Sequence, residues 1–406
     1  MMIELPKDAA EVMARLNRAG YEAYAVGGCV RDSLLGIAPK DWDICTAASP
    51  EEMTQVFAGL HTVETGLKHG TLTVVMNHVP YEVTTFRVDG EYTDHRHPDG
   101  VTFVRNVRED LARRDFTVNA MAWSPETGLV DLFGGREDLD AGVIRCVGEP
   151  AKRFEEDALR ILRAMRFAAV YDFAVEPGTA KAIHALYPTL EGVAAERIRV
   201  ELAKLVCGRA AERILIQFGD VLRFVLPEAG SASALGSAAA SEAVRMACLL
   251  AQSGPEGAMR AGERLRMDKA TAERIRLLTA NIDLPLGAQE HMLMRPLSLL
   301  GEDALYQLIE VQAVRIEAVK GQPHEAASAW KREVSASVDA LLAKAPCVSI
   351  RDLAVNGTDL THVGVPKGKK IGEYLKALLD AVMDGEVPND RDTLLARASA
   401  WLTVGR

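Results

Sequence analysis

The chain has no apolar run long enough to cross a bilayer, no Cys-x-x-Cys pair and no excess of positive charge. Each absence removes a class of protein. A spanning helix needs about 20 predominantly apolar residues, so no membrane partner is expected. The opening Met1-Met2-Ile3-Glu4-Leu5-Pro6-Lys7-Asp8 lacks a basic stretch leading into an apolar one, and a secretory signal is not expected. Cys29, Cys45, Cys146, Cys207, Cys248 and Cys347 lie far apart, which argues against a zinc site or a disulfide framework. A reducing cytoplasm is the simplest compartment. The net charge is −10, from 47 basic and 57 acidic residues. Indiscriminate binding to nucleic acid rests on neutralising phosphates, so this balance argues against it. A nucleic-acid substrate steered by a local basic surface stays possible. No repeat of fixed period is present.

What is present fits a soluble globular protein, with 48% hydrophobic and 26% charged residues. At 406 residues the chain exceeds what one hydrophobic core serves, so two to four domains are expected. To about residue 148, strand and helix signals alternate. Ala9–Ala19 reads as an amphipathic helix and Tyr24-Ala25-Val26 as a strand. Ser33–Leu35 reads as a short helix stopped by Gly36. Ser49-Pro50-Glu51-Glu52 is a helix start. Thr71–Met76 and Tyr81–Phe86 read as a hairpin turning at Asn77-His78-Val79-Pro80. The polar stretch Gly90–Gly100 reads as a loop. Beyond residue 150 the strand signals nearly vanish. Lys152–Ala169 reads as one long helix. Gly230–Ala240 is the clearest linker by composition, with further breaks near Gly321-Gln322-Pro323 and Pro346. The outline is α+β: a small head of mixed sheet and helices, then an all-α extension.

The chemistry concentrates in the head. Asp41 and Asp43 come after Gly27-Gly28-Cys29-Val30-Arg31-Asp32 and stand one residue apart. On a strand they would share a face. Taken alone, Asp-x-Asp is an ordinary strand end. Two carboxylates on one face repel unless a cation lies between them, and Mg²⁺ takes oxygen ligands while keeping substrate phosphates in its shell. The glycines let backbone approach a phosphate, and Arg31 can fork onto phosphate oxygens. Glu82, on the second hairpin strand, supplies a third carboxylate that can hold or deprotonate an attacking hydroxyl. Within Arg113-Arg114-Asp115-Phe116-Thr117-Val118-Asn119-Ala120, Arg114 suits a triphosphate. Asp115 and Asn119, four apart, would share a helix face and suit ribose hydroxyls.

Glu156-Asp157-Ala158-Leu159-Arg160 opens the helical extension. Asp157 and Arg160 are three apart, the spacing of an ordinary helical ion pair. The pair also has a sharper reading. A carboxylate accepts from the exocyclic amine of C or A, and a guanidinium donates to the neighbouring ring acceptor. U and G carry an oxygen at the equivalent position and would be refused. Arg163 and Arg166 continue at steps of three and would reach the triphosphate.

In order and spacing, Gly27–Asp32, Lys40–Asp43, Arg113–Ala120, Glu156–Arg160 and Glu196-Arg197-Ile198-Arg199-Val200-Glu201 resemble the motifs of the class II tRNA nucleotidyltransferases. These are the bacterial CCA-adding enzymes of the polymerase-β-like superfamily. The likeness is strong over the first half and weaker near Asn356–Leu360. It implies a catalytic head at 1–148, a helical neck at 149–228 that recognises the base, a helical body at 229–345 and a helical tail at 346–406 that binds tRNA. It implies that Asp41 and Asp43 hold Mg²⁺. It further implies that Gly28, Arg31, Arg114, Asp157, Arg160, Arg163 and Arg166 bind ATP or CTP, and that Glu196 and Arg197 brace the neck. The Bacillus-like form without a phosphohydrolase domain is nearest, since the C-terminal half has no His-Asp metal motif. Members that add only CC lack a flexible loop in the head, and Tyr92–Pro98 is this chain's candidate for it. The expected reaction is attack of a tRNA 3′-hydroxyl on the α-phosphate of CTP or ATP with release of pyrophosphate, one metal lowering the hydroxyl pKa and a second clamping the triphosphate. A CC-adding or A-adding enzyme or a poly(A) polymerase of the same superfamily is the near alternative. Adenylyl transfer to a small molecule, or an inactive nucleotide- or RNA-binding module, is the distant one. Monomer and homodimer both stay open.

Overall fold

A computed structural model describes residues 3–90 and 100–404. The chain forms two compact units. The first runs to Pro227 and includes Arg264–Arg266; the second comprises Glu228–Glu263 and Met267 onward.

The first unit opens with α1 (Lys7–Arg18), β1 (Ala23–Val26), α2 (Gly28–Leu34), β2 (Ile44–Thr46) and α3 (Pro50–Val56). Next come β3 (His61–Val63), β4 (Thr71–Met76), β5 (Val79–Thr85), β6 (Arg87–Asp89), β7 (Val101–Phe103) and α4 (Val107–Ala112). The run closes with β8 (Met121–Ser124), β9 (Gly128–Asp131) and α5 (Gly135–Ala141). Seven of these strands form one mixed sheet in the order β3-β4-β5-β2-β1-β8-β9. The fold is α+β, as expected.

Local chemistry accounts for the pieces. Ser49 caps α3 and Glu52 bonds back to the Ser49 amide, a reciprocal box that satisfies two open helix donors. Asn77 and His78 both adopt positive φ, 48° and 68°. That geometry gives the β4–β5 turn the twist of its strands. The candidate loop Tyr92–Pro98 lies outside the described residues. At the sheet's centre, Ala23, Tyr24, Ala25 and Val26 are buried on both faces. β1, paired with β2 on one side and β8 on the other, is therefore a rigid support for the glycine turn at its end.

Helices α6 (Pro150–Glu156), α7 (Leu159–Tyr171), α8 (Pro177–Leu186) and α9 (Ala195–Val206) continue the first unit. The long helix expected over Lys152–Ala169 is two helices. Asp157 takes extended backbone (φ −143°, ψ 104°) and its Oδ1 accepts the Leu159 amide at 3.1 Å. A short acidic side chain that bonds nearby backbone competes with helix continuation, and here it wins.

The second unit is helical, with long helices at Lys269–Ala280, Glu302–Ala318, His324–Leu342 and Lys369–Met383. Residues Gly321–Pro323 and Pro346 fall between helices, as expected. Gly230–Ala240 is not an open linker. Ala232, Ala234, Leu235 and Ala238 are buried around a short 3₁₀ turn at Leu235–Ser237. Three of its alanines pack against the unit, whereas its composition alone reads as a spacer.

Candidate active site

β1 delivers the chain to Gly27, whose amide donates to the Met121 carbonyl of β8. Gly27 has φ +76°, and a Cβ there would sit 3.0 Å from Arg114 Nη1. The positive φ requires glycine, and a side chain would also crowd the Arg114 guanidinium. Gly28 starts α2, where a Cβ would make only ordinary contact with Arg31.

The aspartates stand at the entry to β2, not within it. The strand begins at Ile44, and only the Asp43 carbonyl joins the sheet, accepting from the Val26 amide at 3.0 Å. β2 runs parallel to β5 with Ile44 opposite Val83. Asp43 and Glu82 are therefore neighbours one step back along the two strands. Asp41, Asp43 and Glu82 are all exposed side chains. Protein crowding around Asp43, then the charges of Asp41 and Glu82, push its pKa up from 3.8 to about 6, with Arg114 pulling the other way. Asp43 thus feels two like charges and one basic arm.

This donor set fits a hard cation. Among the described residues no group of three His, Cys, Asp or Glu side chains forms a metal cage. Mg²⁺ does not ask for one, since one or two carboxylates plus substrate phosphates suffice.

Sequence reasoning missed Asp110. It is fully buried on α4, accepts from Arg113 at 2.7 and 3.0 Å, and accepts from Arg114 at 3.1 Å. Burial alone would raise its pKa; Arg114 and Arg113 outweigh that and hold the carboxyl below its usual range. Asp110 thereby fixes Arg114 beside Gly27. The spacing to Arg113 and Arg114, three and four residues, was the available signal. Arg114 Nε is buried with no hydrogen-bond partner among the described residues, a donor left over for a ligand.

The other expected nucleotide ligands form one network. Asn119 sits in a short 3₁₀ turn at Thr117–Asn119, so it shares no α-helical face with Asp115. The two still meet: Asn119 Nδ2 donates to Asp115 Oδ1 at 3.1 Å. Asn119 Oδ1 accepts from buried Arg31, whose guanidinium lies 4.7 Å from the Tyr171 ring centroid and 5.1 Å from that of Phe167. Asp115 Oδ2 accepts from Arg163 at 2.8 and 2.6 Å. Burial would raise the Asp115 pKa, but Arg163 and Asn119 hold it down to about 2. Arg166 donates to Glu201 of α9 and stacks on Phe167. Glu201 is a second residue whose role was missed, although it closes the last quoted motif.

Asp157 and Arg160 come close in sequence but take different partners. Asp157 Oδ2 accepts from Arg197 of α9 at 3.0 Å. Arg160 donates to Glu156 at 2.7 Å and to the Arg153 carbonyl at 3.2 Å. Arg197 is thus a brace on the residue that opens α7. Glu196 pairs instead with Arg266. A carboxylate offers about four acceptor positions; Asp157 uses two in these bonds and keeps capacity for a base amine.

An antiparallel-and-parallel sheet, a glycine turn and an acidic pair facing an arginine define a nucleotidyltransferase head. Residues 23–145 match the family model described as "Poly A polymerase head domain". Residues 172–231 match "Probable RNA and SrmB- binding site of polymerase A". Residues 263–398 match domain 2 of the tRNA nucleotidyltransferases. The CCA-adding enzyme of Geobacillus stearothermophilus is 38% identical over 98% of this chain and 96% of its own. That of Limosilactobacillus fermentum is 36% identical over 97% and 96%. The solved structure of the Bacillus stearothermophilus CCA-adding enzyme in complex with CTP aligns with a TM-score of 0.78 and 32% identity, covering 98% of each chain. The Thermotoga maritima enzyme complexed with tRNA shares the fold, with a TM-score of 0.68 at 23% identity over 98% of this chain and 97% of that one. The chain belongs to the CCA-adding enzyme family of tRNA nucleotidyltransferases.

Proposed function

We propose that this protein completes the CCA end of tRNA from CTP and ATP, releasing pyrophosphate at each step. The observation that carries the reading is the placement of Asp43 beside Glu82 at the entry to two parallel strands, under the charges of Asp41, Glu82 and the Arg114 that reaches Gly27. Asp41 and Asp43 would hold Mg²⁺, which when bound would lower the pKa of the attacking 3′-hydroxyl and offset charge on the triphosphate. Glu82 stands beside the pair and accepts or orients the hydroxyl proton. Gly28 begins the helix against which the phosphates lie. Arg114 meets the triphosphate, held in aim by Asp110. Arg31, Asn119, Asp115, Arg163 and Arg166 form the wall behind the nucleotide, and their mutual bonds make it a pre-organised surface of donors.

Asp157 and Arg160 read the base in this proposal, with Arg197 and Glu156 keeping both side chains in place. The Arg160→Ala enzyme is expected to lose discrimination against UTP and GTP by about 10-fold or more, the worth of a charge-assisted hydrogen bond. Competition between CTP and UTP for a single incorporation checks this, and unchanged exclusion of UTP would refute the assignment.

We assign 1–148 to the catalytic head, 149–228 to the neck, 229–345 to the body and 346–406 to the tail. The tail's Lys367, Lys369 and Lys370 are exposed at the start of the helix Lys369–Met383, where RNA phosphates would meet basic charge. Among the described residues no helix is long and apolar enough to cross a membrane, and the cytoplasm, where tRNA matures, is the proposed compartment.

The decisive experiment incubates tRNA ending at its discriminator base with CTP, with ATP, and with both. Growth by two nucleotides with CTP and by three with both is the expected result. Growth that stops at two with both nucleotides would identify a CC-adding enzyme. Absence of growth with CTP, together with one-nucleotide extension of tRNA ending in CC by ATP, would identify an A-adding enzyme.

A further inference from the structure

We propose that a cavity in the second unit binds one unpaired nucleotide, its base inside and its phosphate at the mouth. The inference deepens the function proposed above and rests on it where the nucleotide belongs to tRNA.

The cavity encloses about 220 Å³. One wall is the non-helical segment around Pro285, which lies beyond the helix Lys269–Ala280. The other is the final turns of Glu302–Ala318, carrying Gln312, Arg315 and Ile316, with Lys320 beyond them and Trp330 from His324–Leu342. The walls are tied together. Gln312 Nε2 donates to the carbonyls of Ile282 at 3.1 Å and Leu284 at 2.7 Å. Arg315 Nη1 donates to the Ile282 carbonyl at 3.1 Å and to Asp283 at 2.6 Å. The non-helical segment is thus pinned, and the cavity is built from fixed parts.

Those bonds leave specific groups unspent. Among the described residues, the Gln312 carbonyl, the remaining Arg315 N–H groups and the Lys320 ammonium have no hydrogen-bond or ion-pair partner. The Arg315–Asp283 pair is itself open to solvent, so it adds little to stability and does not account for the arrangement. An aromatic wall, an amide acceptor and two cations are the chemistry that recognises a nucleotide. A base stacks on Trp330 between Pro285 and Ile316. The Gln312 carbonyl accepts from an exocyclic amine. Arg315 and Lys320 take the phosphate. Sites that enclose a whole drug-sized ligand measure about 300–1,000 Å³; this one admits a base and leaves sugar and phosphate outside. A base stacked in a duplex cannot enter, so the ligand is an unstacked one.

The same chemistry is offered by an RNA strand or by a free mononucleotide. The test measures binding of tRNA lacking its CCA end, and of CMP and AMP, to the wild-type enzyme and to Trp330→Ala and Lys320→Ala. Unfolding temperature and the KM for CTP serve as controls and should not change. The expected result is tRNA binding about 10-fold weaker in Trp330→Ala, the loss of one stacked base. For Lys320→Ala, the salt dependence of log K should flatten by about one. If CMP or AMP binds the wild type but not Trp330→Ala while tRNA binding is unchanged, the nucleotide is a free one. Unchanged binding of all three probes by both folded variants overturns the proposal. Should the wild type itself fail to bind tRNA, the tRNA reading fails separately, and the CMP and AMP arms still decide the cavity.

Discussion

Asp43→Ala is expected to abolish incorporation of both CMP and AMP, by about 10³-fold or more, and to leave the protein folded. A metal-held Lewis acid contributes several kcal/mol to a transition state, and about 4 kcal/mol is three powers of ten in rate. On the proposed reading little would replace it: among the described residues the carboxylates whose charges bear on Asp43 are Asp41 and Glu82, and they form no closed cage. Loss of the side chain does not cost the fold. The Asp43 carboxyl is crowded by protein and by two like charges, and it is the backbone carbonyl, retained in the variant, that joins the sheet. Single-turnover extension with CTP and with ATP, alongside thermal unfolding, checks both halves. Near-normal turnover would refute the assignment of the pair to the metal. A loss confined to one nucleotide would do the same, since the chemistry of the step is common to both.

Asp115→Asn has the largest expected effect on stability. The variant removes the charge that compensates Arg163 inside the protein and disturbs the bond to Asn119, through which Arg31 is held. Asp115 is buried while the Arg163 side chain is 34% exposed, so solvent screens part of the loss; about 2 kcal/mol is expected, the worth of a charge-assisted hydrogen bond, or a fall in unfolding temperature of about 5 °C. The pH dependence has a definite sign. The native carboxyl titrates at about 2 against an ordinary 3.8, so its contribution is fully present above the ordinary value and is lost as pH falls toward 2. The stability gap between wild type and variant should stay constant from about pH 8 to pH 5 and narrow below about pH 4. A gap that widened on acidification would show that Asp115 is not held as an ion.

The two variants differ in kind because the sequence speaks differently about the two residues. Asp41 and Asp43 are legible as a candidate metal pair in their context, because a glycine turn and arginines in order accompany them. Asp115 is legible as chemistry but not as placement. Its sequence neighbours suggest a ribose contact on a helix; the fold shows a buried acceptor with Arg163, Asn119 and the Phe116 amide around it. Arg163 is forty-eight residues away, and no local pattern announces the meeting. The same limit hid the partner of Glu201, since Arg166 lies thirty-five residues away; Asp110 was different, because its spacing to Arg113 and Arg114 is local and could have been read. The sequence also hid the break at Asp157, because helical periodicity continues through a residue that caps the next helix.

The linear chain by itself settled the class of chemistry: an acid pair, a glycine turn and arginines in order, on an α+β head with helices after it. Periodicity and capping residues are local and can be read in a line. Only the tertiary structure decided which arginine meets which carboxylate, that Ala232, Ala234, Leu235 and Ala238 are buried, and that Gly27 turns at positive φ with Arg114 against it. Those are pairings between segments far apart in sequence, and their energies depend on burial and geometry that exist only once the chain has closed on itself.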